Sequence, residues 1–226
     1  MTSKENWSSN MKYLIPGTIQ YTRAYIIKYK ENLVENLKDL VAIFERTSDI
    51  HIDDSSFPLM NTMLMVFPSA MLKPYFGTIF TCIFKRLQAE KSIRSRGSSQ
   101  LSRGLLYFLA LFINLYGVSE LLLCTEQIQH GIFLMLLTSE ASKISLVEGR
   151  KHRREVISAF SKVLHEMELT PPVFCSLLEG LIKLVELEGR RNFSAWEEDL
   201  SDDNMQRMKH QQLYNAMIEV HSKSIQ

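Results

Sequence analysis

Glycine and proline are scarce in this chain, nine and six among 226 residues. All-β domains need turn residues about every 8–12 positions, so the scarcity disfavours sandwiches and barrels. Cysteine is scarcer still. Cys82, Cys124 and Cys175 are an odd number, with no CxxC and no Cys/His spacing. That excludes a disulfide framework or zinc module and reads as reduced core residues of a cytosolic or nuclear protein. An excess of one charge is missing too: Lys and Arg total 26 against 25 acids, a net +1. A bulk electrostatic nucleic-acid binder is therefore not expected.

Long apolar runs are also lacking. The first ten residues, MTSKENWSSN, hold no apolar stretch of the secretory kind. Gly104 to Cys124 has the length of a bilayer span, which takes roughly 20 apolar residues. Asn114, Gly117, Ser119 and Glu120 interrupt it, leaving Leu105 to Ile113 as its longest unbroken run. Such an interruption is costly in hydrocarbon and tolerated near the end of a helix buried among others. The segment reads as a core helix, and no membrane partner is expected.

What the chain does hold is helical periodicity. With 46% hydrophobic residues it can bury a real core. Nine helical segments are expected: Pro16 to Lys30, Leu33 to Phe44, Phe57 to Phe67, Met71 to Gln88, Leu105 to Tyr116, Ile128 to Leu137, Val147 to Glu166, Val173 to Leu187, and about Met205 to His221. Leu33, Leu37, Leu40, Val41 and Phe44 make an amphipathic stripe. Tyr75, Ile79, Ile83 and Leu87 make another, flanked by Phe76, Phe80 and Phe84. Pro74 belongs to a first helical turn or kinks the helix, and Gly117 is a stop. Val156, Ile157, Phe160, Val163 and Leu164 share a face, as do Leu177, Leu181, Leu184 and Val185.

The segment centres alternate between two sets. One lies near Thr22, Asn61, Phe108, Ile157 and Leu213, the other near Leu40, Ile79, Gly131 and Gly180. Each set recurs at roughly 40–55 residues, near the two-helix period of HEAT-type repeats. A helix pair of this kind cannot bury its apolar face alone and stacks on its neighbours. The expected fold is an all-α α-solenoid of HEAT-type helix pairs with about nine helices, an irregular bundle being the rival. Residues 1–12 are expected to be a disordered segment, 13–222 one solenoid, and 188–204 an acidic linker within it.

Chemistry-bearing constellations are few. The six histidines are scattered, with no HExxH, and there is no phosphate-cradling glycine loop and no GxSxG elbow. No enzyme, cofactor or metal is expected. Two charge clusters stand out. Glu197, Glu198, Asp199, Asp202 and Asp203 read as a solvated loop or a seat for a basic partner. Arg150, Lys151, His152, Arg153 and Arg154 open a helix, where the helix dipole disfavours cations. Three readings stay open for the latter: a docking patch for an acidic partner, a solvated loop, or a run paired with a nearby acidic loop. Arg150, Lys151, Arg153 and Arg154 are the candidate partner-binding residues.

At Ile79 to Gln88, IFTCIFKRLQ, the sequence resembles the carboxy-terminal HEAT repeats of the importin-α re-exporters, a family within the importin-β superfamily. In that family an IF..LF.RLQ helix is followed, after a polar loop, by an FINLY helix, here Phe112 to Tyr116. Further likenesses are Ile15-Pro16-Gly17, FPLMNTMLMVFP at 57–68, Gln127-Ile128-Gln129 before GIFLMLL, and WEEDLSDD at 196–203. Together they run from about Tyr13 to Met217. The resemblance implies a fragment of a nuclear export receptor that binds importin-α together with Ran in its GTP form and shuttles between nucleus and cytoplasm. It implies protein–protein binding without direct nucleic-acid contact. The alternative is a generic α-solenoid scaffold with no transport role.

Overall fold

The computed structural model describes residues 14–49, 56–92 and 98–190. The last expected helix, the acidic residues 197–203 and residues 1–12 lie outside them. Among the described residues every regular element is helical. They are α1 (Leu14–Tyr29), α2 (Leu37–Asp49), α3 (Ser56–Val66), α4 (Ser69–Leu72), α5 (Phe76–Ser92), α6 (Ser98–Tyr116), α7 (Val118–Glu126), α8 (Ile132–Glu140), α9 (Arg150–Glu166) and α10 (Pro171–Arg190). Short 3-10 turns cover Lys30–Asn36, Lys73–Tyr75 and Ala141–Leu146. The chain divides into two compact units, Met1–Leu184 and Val185–Gln226. Of the second unit only the end of α10 is described.

The first unit is built in two layers. In one, α1 packs on α3, α3 on α6 and α6 on α9; in the other, α2 packs on α5 and α5 on α7. The first layer is one of the two interleaved sets of the sequence period; the second begins with the other set, α2 and α5, and continues through α7, which lay between the expected segments, so the expected α-solenoid stacking is present. Tyr107 of α6 meets His152 of α9, and further along Asn114 meets Ser158. Neighbours in that layer therefore run in the same direction, and the chain returns through the other layer between them. This arrangement is what forces the long two-helix period.

Three local departures have physical causes. Met71 to Gln88 is not one helix: Pro74 has no N–H and its ring crowds the preceding turn, so α4 ends, a 3-10 turn intervenes and α5 starts at Phe76. The helix axis is broken again before Val118, because Gly117 adopts φ +89 between α6 and α7, a region few residues other than glycine occupy. The expected Ile128 to Leu137 helix begins only at Ile132, after a turn, and a further helix, α7, precedes it outside the expected segments. α7 ends at Glu126, and left-handed Gly131 precedes α8. Leu33 sits in a 3-10 turn rather than in α2, yet Leu33, Leu37, Leu40, Val41 and Phe44 are all buried, as the stripe requires.

The core is aromatic where the two most recognisable segments meet. Phe80 of α5 and Phe112 of α6 pack edge to face with centroids 5.1 Å apart, and Phe76 meets Phe112 at 4.8 Å. Phe108 adds contacts to Phe80 at 5.8 Å and to Phe57 of α3 at 6.0 Å. All five phenylalanines are buried. Such pairs stabilise by about 0.5–1.5 kcal/mol each beyond the area they bury.

α10 lies over the 3-10 turn after α8. At Gly180 an added Cβ would stand 3.2 Å from Ile144 Cβ and 3.3 Å from the Ala141 carbonyl, so glycine permits the approach. Leu177, Leu181 and Leu184 are buried as expected, whereas Val185, placed on the same stripe, is 53% exposed. Of the cysteines, Cys124 is buried and Cys82 half-buried, but Cys175 is exposed on the first turns of α10 and is not a core residue. Among the described residues no single helix is long and apolar enough to cross a membrane. The pair Leu101–Tyr116 and Val118–Glu126 would pass by composition, but it bends by 116° at Gly117.

Candidate interaction face

Four helices of one layer, α1, α3, α6 and α9, bring a row of polar side chains together. Its best-connected member is Asn114, near the end of α6 inside FINLY. Its Nδ2 donates to the Glu155 carbonyl at 3.0 Å and to Glu155 Oε2 at 2.7 Å. Its Oδ1 accepts from Ser158 Oγ and Lys162 Nζ, each at 3.1 Å. One amide thus ties α6 to three successive positions of α9. The polar residue that broke the apolar run in the sequence is a crosslink between repeats, and that break was its only sequence signal.

Toward the start of α9 the row continues through Tyr107, whose ring centroid lies 3.9 Å from that of His152. Loss of surrounding water pushes the Tyr107 hydroxyl up from its ordinary pKa, and the nearby Glu155 charge adds to the rise. Lost hydration also pulls His152 below the usual imidazole value. Arg23 of α1 reaches the same neighbourhood. Its Nε donates to Thr62 Oγ1 of α3 at 3.0 Å, and that hydroxyl donates in turn to the Pro58 carbonyl at 2.8 Å. Nothing in the sequence around Arg23 or Tyr107 singled them out, because four helices, α2 to α5, separate them along the chain before α1 and α6 join one layer.

The four basic candidates do not share one environment. Gly149, with φ +82, breaks the backbone before α9, and Arg150 to Arg154 form its first turns with no side-chain cap. Lys151 and Arg154 are exposed and Arg150 half-buried. Arg153 is only 7% exposed. The cause is register: Val156, Phe160 and Val163 define the buried face of α9, and Arg153 stands three residues before Val156 on that face. Beside this turn, Arg103 of α6 donates to Glu148, a second tie between α6 and the approach to α9.

Elsewhere the polar chemistry is structural. Glu140, 5% exposed, is held by Lys143 Nζ at 3.1 Å, which also donates to Ser102 Oγ at 3.0 Å. A shallow apolar groove between α5 and α8, lined by Phe84, Leu87, Ile132 and Met135, ends at that carboxylate. Arg86 Nη1 donates to Ser56 Oγ at 2.9 Å, so the first residue of α3 is bound to α5. Among the described residues, no group of three or more His, Cys, Asp or Glu side chains converges as a metal site would require.

The sequence profile of the family described as CAS/CSE protein, C-terminus, matches residues 3–225. Relatives named Exportin-2 include one from Oreochromis niloticus, 26% identical over 185 residues covering 76% of this chain and 18% of the relative. Another, from Xenopus laevis, is 24% identical over 184 residues with the same coverage. A third, from Pagrus major, is 25% identical over 185 residues, again with 76% and 18% covered. The chain therefore spans about a fifth of the length of these relatives. No solved structure matches it.

Proposed function

The chain belongs to the CAS/CSE protein family, and on that premise we propose that it is a segment of a nuclear export receptor of the importin-β superfamily. Its partners in this reading are importin-α and Ran in the GTP form, and its localisation is shuttling between nucleus and cytoplasm. Its task is binding rather than catalysis. The observation that carries the proposal is the family match along residues 3–225, supported by a two-layer helical stack in which one layer carries polar side chains on each of its four helices. A stack of this kind offers partners an extended face, each repeat contributing a few side chains. The test is a pulldown of importin-α by the purified chain, with and without Ran loaded with GTP. Retention of importin-α that rises when Ran is added supports the proposal. Retention of neither protein leaves only the generic scaffold and refutes it.

Within this reading, the turn Arg150 to Arg154 steers the approach of an acidic partner surface. Rim charges act mainly on association rate. Each contact contributes about 0.2–1 kcal/mol where solvent screens it. Replacing Arg150, Lys151 and Arg154 with serine is expected to slow partner association and flatten its salt dependence, with helix content unchanged. Arg153, being buried, is left in place so that the variant reports on steering alone. Equal association rates and salt slopes for the two proteins would make the turn a solvated face.

A further inference from the structure

Two helices of the stack expose a second apolar stripe in addition to the one they bury. α1 buries Ile19 and Ile26 and packs on α3, while Tyr21, Tyr25 and Tyr29, each between 38% and 47% exposed, line another side. The three rings form a ladder, with centroids 6.3 Å and 4.3 Å apart. α10 buries Val173, Leu177 and Leu181, while Phe174, Leu178 and Ile182 are between 38% and 50% exposed. Both stripes repeat every four residues and so form ridges of one class. A helix that is apolar beyond its buried face is normally covered by a neighbour. Stacked helical repeats stay separate in solution when their outer faces are polar, and neither stripe is.

The charges decide which stripe meets which. α1 holds Arg23 and Lys28 and no acid, with Lys28 Nζ 5.3 Å from the centre of the Tyr29 ring. α10 holds Glu179, Glu186 and Glu188 against Lys183 and Arg190. Pairing α1 with α1 sets cations against cations, and pairing α10 with α10 sets one net negative helix against another. Pairing α1 with α10 opposes unlike charges. It also lets one four-residue ridge lie in the groove beside the other, at a crossing of about −50°. Within one chain α1 packs on α3 and the turn Lys30–Asn36, and α10 lies over Ala141 and Ile144.

We propose that the exposed stripe of α10 is a docking surface for α1 of a second copy of this chain. The contact is heterologous, so each chain offers one surface of each kind. It goes beyond the partner reading above and does not depend on it. A half-exposed aromatic side chain presents on the order of 100 Å², which puts the six residues together at roughly 500 Å². That is well under the roughly 1,200 Å² of stable interfaces, so the association is weak, with a dissociation constant of about 10 µM or higher.

The test is sedimentation of the purified full chain, with neither importin-α nor Ran present, between about 1 and 500 µM, the range in which a contact of this strength titrates. The average mass of wild type is expected to rise with concentration. Tyr25→Glu and Ile182→Glu each place a charge in one stripe and are expected to weaken association by about tenfold or more. Both should keep the wild-type helix content by circular dichroism, and Tyr25→Ser and Ile182→Ser replace them if a glutamate variant does not. Mixed in equal amounts, the two variants are expected to associate again and to stop at two chains. One supplies an intact α10 and the other an intact α1. A wild type that stays monomeric throughout overturns the proposal. So does a mixture that stays monomeric, or a loss confined to one of the two variants, which would make the contact isologous.

Discussion

Asn114 offers the most direct test of how the repeats are joined. Replacing it with alanine removes four hydrogen bonds between α6 and α9, two of them to the charged groups of Glu155 and Lys162. A hydrogen bond to a charged group contributes about 1.5–3 kcal/mol and a neutral one about 0.5–1.5. Asn114 is only half-buried and Ser158 is exposed, so water takes back much of that sum. A net loss of about 2 kcal/mol remains. For a domain of this size each kcal/mol moves the melting temperature by about 2–4 °C, so Asn114→Ala should melt about 4–8 °C lower by circular dichroism. Asn114→Asp separates the amide's two halves. Its oxygens can still accept from Ser158 and Lys162, but it cannot donate to Glu155 and sets a second carboxylate against it. At neutral pH the aspartate protein should therefore be no more stable than the alanine protein, and it should recover as pH falls toward about 4, where carboxylates protonate. Denaturant titrations at both pH values measure this. A loss under about 0.5 kcal/mol for Asn114→Ala, or a wild-type-like aspartate variant at neutral pH, would refute the crosslink.

Phe112→Ala empties the centre of the aromatic seam between α5 and α6; urea denaturation should show a loss of about 3–5 kcal/mol, and a loss below about 1.5 would mean the seam collapses around the gap. Gly117→Ala forces a side chain into φ +89, where a Cβ meets no neighbour, so its cost is backbone strain alone, about 1–3 kcal/mol, read from the same titration. His152 has a folded pKa below the ordinary 6.5. As pH falls, the unfolded chain takes up this proton first, so stability declines below about 6.5 until the folded form also protonates. His152→Gln should reduce that decline in melting scans between about pH 7.5 and 5, and an unchanged slope would exclude His152 as its source.

The helical class, the two-layer period and most of the core stripes were legible in the sequence alone. Periodicity reports how each helix meets its own neighbours, and Leu37, Leu40, Phe44, Phe80, Phe160 and Leu177 are buried where the pattern puts them. The prolines and glycines were legible as punctuation, though not all of their effects on the backbone were. Pro74 and Gly131 each divide a stretch whose apolar pattern runs on across the break, because side-chain period is blind to a local change in backbone. Tertiary structure alone decided which side chains share the candidate face. Arg153 looks like its basic neighbours in the sequence, yet the register of α9 turns it inward while Lys151 and Arg154 stay in water. Arg23, Thr62, Tyr107 and His152 come from four helices separated by about 40–50 residues each, the length of one repeat. No local pattern relates them, since they become neighbours only when stacking repeats bury the apolar faces between them.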